Sequence, residues 1–122
     1  LLPTGTETLM VVDDEDLVRR SAARLFGDLG YRVLEAEDGL RCLELFAEHR
    51  GGIDLVVLDL SMPGLSGREV LRQLKAQYPR LKVVVFTGYA ADPVEFAGVA
   101  QIAEKPFSLR QLAGVVRQAL DA

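Results

Sequence analysis

Short apolar runs alternate with stripes of apolar residues at helical spacing along this chain. Leu9 to Val12 is a compact apolar run and predicts a strand. Val18, Ala22, Leu25 and Leu29 follow at helical spacing, and Gly30 supplies a stop. Tyr31 to Ala36 alternates like a strand, and Cys42, Leu43 and Phe46 give the next helix its inner face before Gly51-Gly52. Ile53 to Leu58 is apolar apart from Asp54, which predicts a central strand covered on both faces. Gly67 to Tyr78 reads as a helix, with Val70, Leu71 and Leu74 inward, Ser66 and Glu69 at capping-box spacing and Pro79 beyond its end. Leu81 to Phe86 predicts a second buried strand. Asp92, Pro93 and Glu95 signal a helix start that Gly98 cuts short, and Val99 to Ala103 is a last, weak strand. Ser108 and Gln111 repeat the capping-box spacing, and Leu109, Leu112, Val116 and Leu120 line a final helix.

Five strands alternating with five helices predict an α/β domain with a parallel sheet covered by helices on both faces. Right-handed crossovers bring every strand C-terminus to one edge, where open α/β sheets bind their ligands. Polar residues stand at four of those ends: Asp13-Asp14, Asp59, Thr87 and Lys105. With 122 residues and 49% apolar content the chain suits one domain with a real core. The opening residues 1–6 read as linker and residues 7–122 as the domain; the chain stops at its last helix, with no output domain in view. A net charge of -4 without a basic block argues against nucleic-acid binding. No apolar run reaches membrane-spanning length and no signal peptide is visible, so a cytoplasmic place is expected. A single cysteine excludes an internal disulfide.

Three carboxylates in one pocket repel: two unit charges about 4 Å apart cost roughly 4 kcal/mol at an effective dielectric of about 20. A cation among them removes that cost. Magnesium is the natural candidate, since it takes oxygen ligands and leaves places for water and phosphate oxygens. An aspartate can act as a nucleophile toward phosphorus, and Asp59, ending the central strand, is the one best placed. The Lys105 ammonium can pair with one oxygen of the transferring group, and the Thr87 hydroxyl or a neighbouring N–H with another.

The segments VVDDED at 11–16, VVLDLSMPGLSG at 56–67, VFTGYA at 85–90 and EKPF at 104–107 together resemble the receiver domain of two-component response regulators. That resemblance implies a single flavodoxin-like (βα)5 fold with sheet order 2-1-3-4-5. It implies that Asp59 accepts a phosphoryl group from a histidine kinase or a histidine phosphotransfer protein, the domain itself being a switch rather than an enzyme. It implies that Asp13, Asp14, Asp59 and the backbone carbonyl of Ser61 hold Mg2+ (or Mn2+), that Thr87 senses the phosphoryl group and that Lys105 pairs with it. The opening GTETLMVVDDE, the middle GYRVLEAEDG and the short path from FTGYA to EKPFS are similar to receivers fused to the C-terminal end of hybrid sensor histidine kinases. No nucleic-acid or membrane contact is implied for the domain, while a homodimer through the fourth helix and fifth strand is an option within the family.

Two departures stand out. Ile102 occupies the place, three residues before the lysine, where receivers with the usual coupling carry Tyr or Phe, and the stretch from Thr87 to Lys105 is short. The alternative reading is therefore a degenerate receiver that binds a protein without an aromatic switch. A dehalogenase-type phosphatase needs a second Asp two residues after the nucleophile, where this chain has Ser61, and DDED after the first strand disfavours a nucleotide pyrophosphate. Cys42 and Met62 read as packing residues, Gly64 and Gly67 as turn residues, and His49 as a surface residue or helix-dipole partner.

Overall fold

In the computed structural model, residues 2–87, 101–104 and 108–122 are described. In order, β1 (Thr8–Val12), α1 (Asp16–Asp28), β2 (Arg32–Ala36), α2 (Gly39–His49), β3 (Leu55–Asp59), α3 (Gly67–Gln77), β4 (Lys82–Thr87), β5 (Gln101–Glu104) and α4 (Leu109–Asp121) follow one another. The helix expected from Asp92 to Gly98 lies outside the described residues.

All strand pairs are parallel, and the sheet order is β2-β1-β3-β4-β5. This is the flavodoxin-like arrangement expected from the motifs, with β3 in the centre and every residue of it buried. Alternation along the strands divides the core into two layers. Met10, Val12, Val56, Leu58, Val83 and Val85 face α2 and α3, where Phe46, Val70 and Leu74 pack against them. Leu9, Val11, Leu55, Val57, Val84 and Phe86 face α1 and α4, meeting Phe26, Leu112 and Val116. Phe26 also meets Tyr31 edge-on, with ring centroids 5.8 Å apart.

Asp54 breaks the apolar run before β3 for a local reason. Its carboxylate accepts the Thr8 N–H at 2.8 Å, and its own N–H donates to the Thr8 carbonyl. The bonds fasten the start of β1 to the start of β3, and the register Leu9 with Leu55 through Val12 with Leu58 follows. That register matters at the other end, because the residues after Val12 and Leu58 are Asp13 and Asp59.

Helix ends are set by side chains. Asp38 caps α2 by accepting from Arg41 N, and Ser66 caps α3 by accepting from Glu69 N. The Glu69 carboxylate turns to Arg72 and Gln73. At α4 the capping box of Ser108 and Gln111 is complete in both directions. α1 has no side-chain cap at Glu15, and its buried stripe is Arg19, Ala22 and Phe26. Val18, Leu25 and Leu29, expected on the inner face, are half-buried at its margin. An arginine thus opens a buried stripe that hydrophobicity alone assigns to its neighbours.

A carboxylate cluster at the strand ends

Because β1 and β3 are hydrogen-bonded neighbours, Asp13 and Asp59 emerge side by side at the C-terminal edge of the sheet. Asp13 is fully buried and Asp59 is 1% exposed, whereas Asp14 is open to solvent. Asp13, Asp14 and Asp59 each offer a carboxylate oxygen, and these oxygens all lie within 4.8 Å of one another. Two buried acids and one at the rim make a site open on one side. The donor set is wholly oxygen, which favours a hard cation over a softer transition metal. The cluster can hold a divalent metal.

Backbone geometry holds each acid. The Asp13 N–H donates to the Ala36 carbonyl of β2, and Asp13 Oδ1 accepts the Glu15 N–H at 2.9 Å. Asp59 Oδ1 accepts the Ser61 N–H at 2.9 Å, and the next residue, Leu60, donates its N–H to the Phe86 carbonyl. The two acids therefore close the same short turn, each accepting from the N–H two residues ahead. Ser61 itself is exposed beside Asp59.

Gly67, the first residue of α3, lies against this loop. A Cβ there would sit 2.5 Å from the Asp59 carbonyl oxygen and 2.6 Å from Leu60 Cα. The sequence suggests a turn residue, but the close approach of helix to strand end is what requires glycine. Gly64 does serve the turn, with φ of 75°.

The residue that sequence reasoning missed is Arg19. It is 7% exposed, and its guanidinium donates to the Asp13 carbonyl, to Asp16 and to Glu35. Burial opposes its charge, and Asp16 and Glu35 together outweigh that, so its pKa is held above the ordinary value. The signal was available in principle: Arg19, Ala22 and Phe26 share one helical stripe. Thr87 ends β4 beside β3, as expected, but its side chain lies outside the description, as does Lys105. Ile102 pairs with Val85 and is half-buried against the layer under α2 and α3.

The other expected packing residues behave as such. Cys42 is fully buried, and burial pushes its thiol up to about 12. Met62 is buried, and His49 is exposed with Nδ1 2.8 Å from the Leu45 carbonyl. A shallow depression of about 690 Å³ at the opposite edge, lined by Ile53, Asp54, Tyr78, Leu81 and Lys82 among others, includes none of the clustered acids.

The family described as response regulator receiver domain matches residues 9–117. The chain belongs to that family. Among curated proteins the receiver is 38% identical to the sensor kinase CckA of Brucella abortus, over 97% of its own length and 13% of the kinase. It is 39% identical to the response regulator MprA of a Mycobacterium species (strain KMS), over 92% of its own length and 50% of that protein. It also matches the sporulation initiation phosphotransferase F of Bacillus subtilis at 29% identity, over 93% and 94% of the two chains. Among solved structures, the receiver domain of the hybrid histidine kinase CckA is 34% identical with a TM-score of 0.81, covering 93% of this chain and 98% of that one. A receiver from Clostridium thermocellum is 27% identical with a TM-score of 0.84, covering 94% of both.

With the acid cluster, family membership makes this a phosphoacceptor domain in a phosphorelay driven by a histidine kinase, a switch rather than an enzyme on its own. No helix among the described residues is long and apolar enough to cross a membrane.

Proposed function

We propose that Asp59 is the phosphoacceptor and that Asp13, Asp14 and the Ser61 carbonyl join it in holding Mg2+. The observation that carries this reading is the placement of three carboxylate oxygens within 4.8 Å, two of the acids buried, at the adjoining ends of β1 and the central strand β3. A carboxylate oxygen of Asp59 forms a P–O bond as the P–N bond of a phosphohistidine breaks, and the departing imidazole takes up a proton. Bound magnesium supplies positive charge for the oxygens of the transferring group. The Asp59 turn, held by Ser61 N–H and the Leu60 bond to Phe86, keeps the nucleophile aimed at the rim. Thr87 and Lys105 are assigned the phosphoryl oxygens on the strength of their motifs, VFTG and EKPF.

The donor is a histidine kinase or a histidine phosphotransfer protein. Identity to the sensor kinase CckA of Brucella abortus and to the solved receiver of a hybrid histidine kinase CckA supports residues 7–122 being the receiver of a hybrid histidine kinase, with residues 1–6 as the approach to it; a cytoplasmic place is part of the same proposal.

The test uses the full chain with a small phosphodonor such as acetyl phosphate. In Mg2+ the chain gains one phosphoryl group by intact mass, a chelator prevents it, and Asp59→Asn abolishes it. Labelling that persists in Asp59→Asn sinks the assignment.

A second reading, a receiver that binds a protein without an aromatic switch, draws on Ile102, whose aliphatic side chain is packed where an aromatic is expected. Substitution of Ile102 by Tyr separates the two. It changes partner binding upon phosphorylation only if that position relays the signal.

A further inference from the structure

Arg19 is out of place by the usual energetics. It lies 7% exposed on the same stripe as Ala22 and Phe26, where an apolar residue would bury more cheaply than a guanidinium. Its three hydrogen bonds explain its presence. One guanidinium N–H donates to the Asp13 carbonyl at 3.0 Å, in a buried bond. A second donates to Asp16 Oδ1 at 2.7 Å, and Nε donates to Glu35 Oε1 at 3.2 Å. The side chain therefore joins the end of β1, the first turn of α1 and the neighbouring strand β2.

The choice of partners is informative. A cation paired with a ligand carboxylate competes with a metal ion for it. Arg19 instead takes the main-chain oxygen of Asp13, and its charge is answered by Asp16 and Glu35, neither of which belongs to the cluster. Asp13 is thereby fixed at its N–H by Ala36, at its carbonyl by Arg19 and at Oδ1 by Glu15 N. Asp14 follows on the same turn.

We infer that Arg19 is a positioning residue for the cation site, holding the β1–α1 turn so that Asp13 and Asp14 meet Asp59 before any ion arrives. This rests on the reading of the cluster as a Mg2+ site. Groups outside the ligand shell that orient ligands commonly change metal affinity by about 10–100-fold when removed.

The experiment titrates the full chain with MgCl2 alone and follows amide shifts, which report both folding and occupancy. Arg19→Met keeps the apolar stem and is expected to weaken Mg2+ binding by about tenfold or more. Arg19→Lys keeps the charge without the fork and recovers part of the loss. Arg24→Met, at an exposed position on the same helix, leaves the affinity unchanged. Raising Mg2+ restores phosphoryl labelling in an Arg19→Met chain whose amide shifts already show it folded before the ion is added, so the recovery reads affinity rather than refolding.

A Met variant that melts lower yet binds Mg2+ like the unmodified chain overturns the proposal. If Arg19→Met does not fold, a folded Arg19→Lys with unchanged affinity does the same. Failure of the unmodified chain to bind Mg2+ or to be labelled at Asp59 removes the cluster reading and this proposal with it. Normal binding and labelling in both the unmodified chain and Arg19→Met removes the positioning role only.

Discussion

Two glycines show how the same substitution takes opposite signs within this molecule. At Gly67 an added methyl meets the Asp59 carbonyl oxygen and Leu60 Cα, both backbone atoms that no rotamer change can move aside. Gly67→Ala is expected to cost about 1–3 kcal/mol in chemical denaturation, and to slow phosphoryl labelling because the displaced atoms belong to the loop of the proposed acceptor, Asp59. Within α4, an added methyl at Gly114 meets nothing within 4 Å among the described residues beyond its own helix backbone. Gly114→Ala is therefore expected to stabilise by about 1 kcal/mol, the helix-propensity difference, without altering labelling. Equal effects of the two changes would show that the close approach at Gly67 is not a constraint.

At the scale of elements, α4 depends on its first turn. Ser108 accepts from Gln111 N at 3.1 Å while Gln111 Oε1 accepts the Ser108 N–H at 2.8 Å. Ser108→Ala removes one side of the box and should lower stability by about 1 kcal/mol, read from the denaturation midpoint. This box was legible in the sequence, as was the cap on α3 at Ser66, because both rest on residue types at fixed spacing. The inner strands β1, β3 and β4 were legible for a similar reason: β-branched and apolar runs buried on both faces leave few alternatives. Asp13, Asp14 and Asp59 could be read because a charge directly after such a run must sit at the strand end. The stripe of α1 was not legible to the same degree. Hydrophobicity weights Val18, Leu25 and Leu29, while three hydrogen bonds from one guanidinium decide that Arg19 turns inward. Close backbone approach, as at Gly67, leaves no mark on a sequence beyond the glycine itself. The helix expected from Asp92 to Gly98 and the Lys105 loop lie outside the described residues.

The molecule as a whole is drawn together near its first residues by Arg117. Its guanidinium bonds the Thr4 carbonyl, both Glu7 oxygens, the Tyr31 hydroxyl and Asp121. The approach to β1, the entry to β2 and the end of α4 share one cation. The Arg117 hydrogen bonds lower the Glu7 carboxyl from 4.5 to about 2. A carboxyl lowered in the folded state stabilises that state above its unfolded pKa and loses the contribution as pH falls through the folded one. This contribution is thus present above about 4.5 and fades toward 2. Arg117→Met is expected to flatten the stability profile across that window, measured by thermal melting at several pH values. A slope unchanged by Arg117→Met would mean other carboxylates account for the acid sensitivity.

Cys42 turns the burial of the α2 layer into a clock. The thiol has no exposed surface and, with its pKa at about 12, almost no thiolate at neutral pH. A thiol reagent can therefore modify it only during excursions that lift α2 from the sheet, and the reaction rate counts those excursions. Under the proposed function, magnesium and phosphorylation act at the strand ends where Asp13, Asp14 and Asp59 lie, and any preference they have for the closed molecule must slow this reaction. Its rate in Mg2+, relative to chelator, should fall in the unmodified chain and change less in Asp59→Asn. The chain's one cysteine thus reports, without a label, how firmly events at the rim of the sheet close the layer beneath it.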